Sequence, residues 1–293
     1  MNREYLIGMS LTPESYSIGL IDLSGKIIKT VEKELLIKKN KKKYLRELLE
    51  DANRIKKGRV IGVGVSVPVR LDQRDNLIAT PDLFNWRQLK LRSAINDTLN
   101  IPVFLASRSD CIAMAENKAG SARKVSNAVV IDVSDEILMS VIEGSKLQRT
   151  PTNHNFMLGH MIVAGDADCK AQSFGCLNAF ASRHGILKRY KKVRGKDVEL
   201  ADIEREGKKV KKIQTLLDEA VEHLSYAIAN IFNLLAPDQI ILSTSYQDMQ
   251  PLLEKAAKRA PDYFYMTTTR KGEVILSRLS DAGIIGAASL VKR

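Results

Sequence analysis

The sequence predicts an α/β protein of two lobes, residues 1–122 forming the first and residues 123–293 the second. Three observations carry that prediction. Short apolar runs rich in β-branched residues alternate with stretches whose apolar residues recur at helical spacing. A hairpin pattern near the start returns after residue 126 in similar form, as an ancient duplication would leave it. The length of 293 residues, 44% of them hydrophobic, suffices for one large core or two smaller ones.

Residues 5–9 and 15–22 read as strands, and Ser24-Gly25 turns the chain into a third over 26–31, giving a meander. Residues 44–55 carry apolar side chains at helical spacing, and 60–67 form the continuous apolar run of a buried parallel strand. A helix over 86–99, a strand over 102–105 and a helix over 110–119 ending near Gly120 complete the first lobe. The second opens on strands over 127–133 and 137–144. A long amphipathic helix over 211–235, stopped by Pro237, leads to a strand over 239–243. A last strand over 274–277 and a terminal helix over 281–288 close the chain.

No apolar run reaches the roughly 20 residues of a membrane span, and Met1-Asn2-Arg3-Glu4 does not start a signal peptide. A cytoplasmic location without membrane contact is the expectation. Three cysteines, Cys111, Cys169 and Cys176, make no disulfide framework and suit a reducing compartment. The net charge of +12 is concentrated in Lys38-Lys39-Asn40-Lys41-Lys42-Lys43, in Lys188-Arg189-Tyr190-Lys191-Lys192-Val193-Arg194 and in Lys208-Lys209-Val210-Lys211-Lys212. Such runs serve as solvated helix faces or meet a polyanion. Tyr190 is the one aromatic residue among them, which offers little for base stacking.

The stretch richest in chemistry is Gly159-His160-Met161 followed by Asp168-Cys169-Lys170-Ala171-Gln172-Ser173-Phe174-Gly175-Cys176-Leu177-Asn178. It resembles the signature of the ROK family of repressors and sugar kinases, in which Gly-His is followed by Cys-x-Cys-Gly-x-x-Gly-Cys-Leu-Glu. Asp281-Ala282-Gly283-Ile284-Ile285-Gly286-Ala287, and Ile7-Gly8 with Asp22-Leu23-Ser24-Gly25-Lys26, carry the likeness towards both ends. The resemblance implies the two-lobed, actin-like sugar kinase fold of the ribonuclease H-like kind, with nucleotide and sugar meeting between the lobes.

The chain departs from the family where phosphoryl transfer would occur. Ser10-Leu11-Thr12-Pro13-Glu14 replaces an Asp-x-Gly-Gly-Thr turn whose glycines let backbone N–H groups approach phosphate. Pro13 removes one donor and Glu14 adds negative charge. Residues 134–139, beginning Ser134-Asp135-Glu136, replace a Gly-Thr-Gly-x-Gly loop, and Ser243-Thr244 replaces a Gly-Gly beside adenosine. In Ala106-Ser107-Arg108-Ser109-Asp110 the position of the catalytic Asp is taken by Arg108, which cannot act as a base at neutral pH. Asp110 lies two residues later. The family's sugar contacts fall on Met157, His160 and Asn178, of which His160 is unchanged.

Ala171 stands where the middle zinc thiolate should be, so the resemblance leaves His160, Cys169 and Cys176 as three zinc ligands. Asp166, Asp168 or water would be the fourth. The other reading has the loop held by packing, its thiols acting as small apolar groups. Cys111 reads as core, and His154, His184 and His223 as surface or helix residues.

Together these features imply a catalytically inactive module of transcriptional-regulator type that senses a small sugar-like ligand through Ser107, Arg108, His160 and Asn178. ATP and magnesium are not expected. The rival expectation is an ATP-dependent carbohydrate kinase with atypical phosphate loops and Asp110 as base. The resemblance also implies a homodimer, with the 211–235 helix or the terminal helix at its interface. The chain opens on its first strand, so DNA contact is expected only through a missing helix-turn-helix, a partner or the basic surface.

Overall fold

The computed structural model describes residues 3–12, 14–34, 41–68, 70–71, 77–78, 90–148, 156–165, 175–265 and 272–291. The chain divides into two compact units, the first built from Met1–Gly120 and Leu279–Arg293, the second from Ser121–Gln148 and Phe156–Arg278. The terminal helix therefore belongs to the first unit, whereas sequence order had set it in the second. Its packing partners, described below, are the reason.

The first unit is a five-stranded sheet in the order β3-β2-β1-β4-β7. The antiparallel meander β1 (Glu4–Leu11), β2 (Ser15–Asp22) and β3 (Ile27–Glu34) continues into β4 (Arg59–Val67) and β7 (Val103–Ser107), both parallel to β1 or its neighbour. The two-residue strands β5 (Arg70–Leu71) and β6 (Leu77–Ile78) pair separately. Alternation along β1 sorts its side chains by face. Ile7, Met9 and Leu11 join a core closed by Tyr44, Leu48 and Ala52 of α1 (Lys41–Ile55) and by Leu91, Ile95 and Leu99 of α2 (Leu91–Leu99). The expected helical start at residues 86–89 lies outside the described residues.

On the opposite face run α3 (Arg108–Ala119) and the terminal α9 (Ala282–Ala288). Glycines bring α9 down to the backbone of the sheet. A Cβ on Gly8 would stand 2.1 Å from the Ile284 carbonyl oxygen, and one on Gly64 only 1.7 Å from that of Ala287. Side chains are absent from the strands there because a helix occupies their space.

The second unit repeats the plan, with strand order β10-β9-β8-β11-β12. β8 (Ala128–Val133), β9 (Ile137–Glu143) and the short β10 (Lys146–Leu147) are antiparallel, while β11 (Gln239–Ser243) and β12 (Glu273–Leu276) run parallel to β8 or its neighbour. The echo in the sequence thus corresponds to a shared strand order. One large core joins this sheet to the 25-residue α7 (Lys211–Leu235), whose Leu216, Ala220, Leu224, Ile228 and Ile231 recur at helical spacing. Around α7 lie α4 (Leu177–Ala181), α5 (Arg183–Arg194), α6 (Leu200–Gly207) and α8 (Gln250–Arg259). Among the described residues no helix is long and apolar enough to cross a membrane.

The close approach of α9 sets a test. Gly64→Ala is expected to cost about 3 kcal/mol or more, since neither backbone can give way. Gly165→Ala, with no atom of the described residues within 4 Å of the new methyl group, should leave the melting temperature within a degree or so. Thermal unfolding of the two variants measures both.

Candidate functional site

Nucleotide phosphates are held by backbone N–H groups that the fold leaves unspent. In the β1–β2 turn they are spent. Thr12 N–H donates to the Ser15 carbonyl at 2.9 Å, and the Thr12 hydroxyl accepts from Glu14 N–H at 3.2 Å and Ser15 N–H at 2.8 Å. Pro13 lies outside the described residues and, as proline, has no N–H to offer. The Tyr44 hydroxyl, within 3.2 Å of the Thr12 carbonyl and 3.0 Å of that of Ser15, clamps the turn to α1. Tyr44 stacks edge-on against Tyr16, whose hydroxyl donates to the buried Asp51 carboxylate at 2.7 Å. Burial first, then the neighbouring Asp51, pushes the Tyr16 phenol far up; burial, then Tyr16, does the same to Tyr44. Both stay neutral donors at any physiological pH.

At the end of β7 the segment expected to hold the ligand is a helix cap. Ser107 is the N-cap of α3: its hydroxyl accepts from Asp110 N–H at 3.3 Å and donates to the Asp110 carboxylate at 2.7 Å. Asp110 is 1% exposed, so the one carboxylate available to the kinase reading is buried and engaged in capping. Arg108 reaches back to β1, with Nη1 3.5 Å from the Ser10 hydroxyl.

In the second unit, the β8–β9 turn is stitched to the segment after β11. The Ser134 hydroxyl accepts from Ser245 N–H at 3.0 Å, lies 3.1 Å from the Ser245 hydroxyl and donates to Asp132 at 3.0 Å. Ser134 N–H donates to the Glu136 carbonyl at 3.1 Å, and Arg183 N–H donates to the Ser134 carbonyl at 2.9 Å. The Arg183 guanidinium, 9% exposed, contacts Glu199 at 2.7 Å, Asp248 at 3.5 Å and Asp135 at 4.0 Å. It also lies 4.3 Å over the Tyr246 ring, whose hydroxyl donates to Asp135. The turn that begins at Ser134 is thus bonded to the chain beyond β11, beside an arginine that sequence reasoning passed over.

Asn178 and His160 sit beside this turn's second strand. The Asn178 Oδ1 accepts from Ile137 N–H, the first donor of β9, at 2.8 Å. A Cβ on Gly159 would fall 2.3 Å from the same oxygen, so the Gly-His dipeptide admits Asn178 only because residue 159 has no side chain. His160 ends a short 3-10 turn over Leu158–His160 and is half-buried; Met157 is exposed. The loop beyond is closed at its base by backbone bonds, Val163 N–H to the Gly175 carbonyl and Leu177 N–H to the Met161 carbonyl, both 2.8 Å. Cys176 is fully buried and disulfide-bonded, so the expectation of no disulfide does not hold and its sulfur is not a free thiolate for zinc. Cys169, Asp166, Asp168 and His154 lie outside the described residues, among which no three His, Cys, Asp or Glu side chains gather to hold a metal. Ser107, Arg108 and Asp110 thus belong to the first unit, and His160 and Asn178 to the second.

The sequence profile of the ROK family matches residues 7–293. The chain belongs to the ROK family. The xylose repressor of Bacillus spizizenii is 26% identical over 98% of this chain and 77% of its own length. The glucokinase of Thermotoga maritima is 26% identical over 100% and 98%. Among solved structures, a ROK hexokinase from Thermus thermophilus superposes with a TM-score of 0.81 at 21% identity, covering 98% of this chain and 97% of that one. A ROK glucokinase from Streptomyces griseus, in complex with glucose and AMPPNP, gives 0.80 at 19% identity, covering 98% and 99%. The fold is therefore the actin-like one of the ROK sugar kinases, and this ROK chain carries its own hydrogen bonds at the turns described above.

Arg183 had no sequence signal of its own: it follows Ser182, an ordinary N-cap residue, and its partners come from three distant segments. Removing it takes from Asp135 and Asp248 the cation that both contact among the described residues. Arg183→Met is expected to cost about 3 kcal/mol. Glu199→Gln, at a side chain 74% exposed, is expected to cost under about 1 kcal/mol. Denaturant melts of the two variants give the comparison.

Proposed function

We propose that this chain is a ROK-family module that senses a small sugar-like ligand, of transcriptional-regulator type, and that it does not transfer phosphate. The observation that carries the proposal is the closed β8–β9 turn, where Ser134 bonds Ser245 and accepts from Arg183 N–H while Tyr246 bonds Asp135 beneath the Arg183 guanidinium. The spent turn at Thr12 supports it from the other unit. Likeness to xylose repressors agrees with it. Arg108 at the position of the base supplies charge without proton-accepting capacity. In this reading His160 is the surviving polar contact for a ligand hydroxyl, and Asn178 has exchanged a sugar for a backbone donor.

The second reading, an ATP-dependent carbohydrate kinase, rests on likeness to glucokinases and on Asp110 as an alternative base. The two readings part in one assay. With ATP, magnesium and a panel of hexoses, pentoses and amino sugars, turnover is expected to stay below about 0.01 per second, far under ordinary kinase rates of about 1 to 100 per second. At the same time, one or more of the free sugars is expected to raise the melting temperature by mass action. Turnover at kinase rates that is lost in Asp110→Asn, a change that keeps an acceptor for the Ser107 hydroxyl, would establish the kinase instead.

A further inference from the structure

The two lysine runs of the second unit meet in space. Tyr190 of α5 is 1% exposed and donates its hydroxyl to the Glu206 carboxylate of α6, which also pairs with Arg194 at the end of α5. Hydrogen bonding from Tyr190, with Arg194 and Lys196 close by, holds the Glu206 carboxyl below the usual carboxylate range. The Glu206 carbonyl accepts from Lys209 N–H and Val210 N–H, both at 2.9 Å, and so sets the turn from α6 into α7. One residue thereby fixes the end of the first run against the start of the second. Arg194, Lys196, Lys208, Lys209, Lys211 and Lys212 share this corner, and all are exposed.

The acidic residues nearby are largely engaged already. Asp197 pairs with Lys191 at 2.7 Å, Asp202 with Arg205 at 3.1 Å, Glu199 with Arg183 and Glu206 with Arg194. Lys196, Lys208, Lys209, Lys211 and Lys212 make no ion pair among the described residues. No acidic residue occupies the first turn of α7, so the positive end of that helix adds to the same field. Of the acids along this stretch, Glu204 alone makes no ion pair among the described residues, so the unpaired lysines outnumber it five to one.

We propose that this corner is a docking surface for the phosphate backbone of double-stranded nucleic acid, bound without sequence preference. The choice of partner follows from what the corner lacks. Tyr190 is buried and spent, so no aromatic ring is offered to unstacked bases, which argues against a single strand. Among the described residues the exposed large hydrophobic ones, such as Met157, Ile162, Leu234 and Tyr265, belong to other segments, so they put no apolar wedge at this corner for a lipid surface. Lysines dominate, and ammonium groups act on phosphate as point charges rather than reading base edges. The proposal stands independently of the ligand-sensing reading.

The test is fluorescence anisotropy of a labelled DNA duplex of about 20 base pairs, titrated with the whole chain at about 50 and about 200 mM salt. Binding at about 10 μM or tighter is expected at the lower salt, weakening by about two orders of magnitude at the higher. Replacing Lys208, Lys209, Lys211 and Lys212 by Gln should weaken low-salt binding at least about tenfold and flatten the logarithmic salt slope by about 3 to 4. A control that removes the same charge from Lys26, Lys29, Lys57 and Lys90 should stay within about threefold of the parent. Glu204→Lys, on α6 within the corner, should tighten binding, which keeps the proposal testable if the fourfold variant fails to fold. Equal weakening by the two fourfold variants would overturn it, as would no duplex binding at about 100 μM in low salt. Corner-dependent capture by vesicles containing phosphatidylserine, with none by the duplex, would overturn it as well.

Discussion

A turn that binds polyphosphate must hold its backbone N–H groups in reserve, and the central physical feature of this protein is that its β1–β2 turn does not. Thr12 folds its hydroxyl back over the β1–β2 turn, and Ser134 and Arg183 tie the β8–β9 turn to the chain beyond β11. Such bonds cost little in a folded protein because they replace water. In the proposed reading a nucleotide would have to displace such bonds, those of the second turn lying beside Arg183, Asp135 and Asp248. The change lies in a few side chains, while the strands that carry the turns keep their order.

That separation of fold from chemistry has a packing origin. The first unit is organised around α9 lying on Gly8 and Gly64, where carbonyl oxygens of the helix approach the strands too closely for any side chain. The second is organised around α7, whose buried face runs the length of the core. Neither contact involves the turns at the strand ends. Substitutions at Thr12 or Ser134 leave those packing contacts untouched, as expected where binding residues sit on loops carried by a rigid scaffold.

Elements with a strong period were legible from the residues. Helix α7 and strand β11 occupy the predicted spans, and the meander and both central strands lie within a few residues of theirs. Helices α5, α6 and α8 escaped notice because lysine and glutamate dilute their apolar spacing, and because α5 read as a charge run. The terminal helix was set in the wrong lobe, since its attachment depends on Gly8 and Gly64, far upstream in the chain. At the candidate site, the losses at Thr12, Ser134 and Arg108 could be read directly. What replaced them could not: Asn178 bonding to Ile137, and Arg183 gathering three carboxylates, are long-range pairings with no local pattern. The same holds for Glu206, which turns two separate lysine runs into one surface.

The account comes to a head in the affinity for nucleotide itself, measured by calorimetric titration of the purified chain with magnesium and a non-hydrolysable ATP analogue. Filled turns predict no saturable heat up to about 1 mM nucleotide, which corresponds to a binding free energy weaker than about −4 kcal/mol. A one-to-one isotherm with a Kd of about 10 μM or tighter would show that the turns open to admit phosphate, and would contradict the central claim.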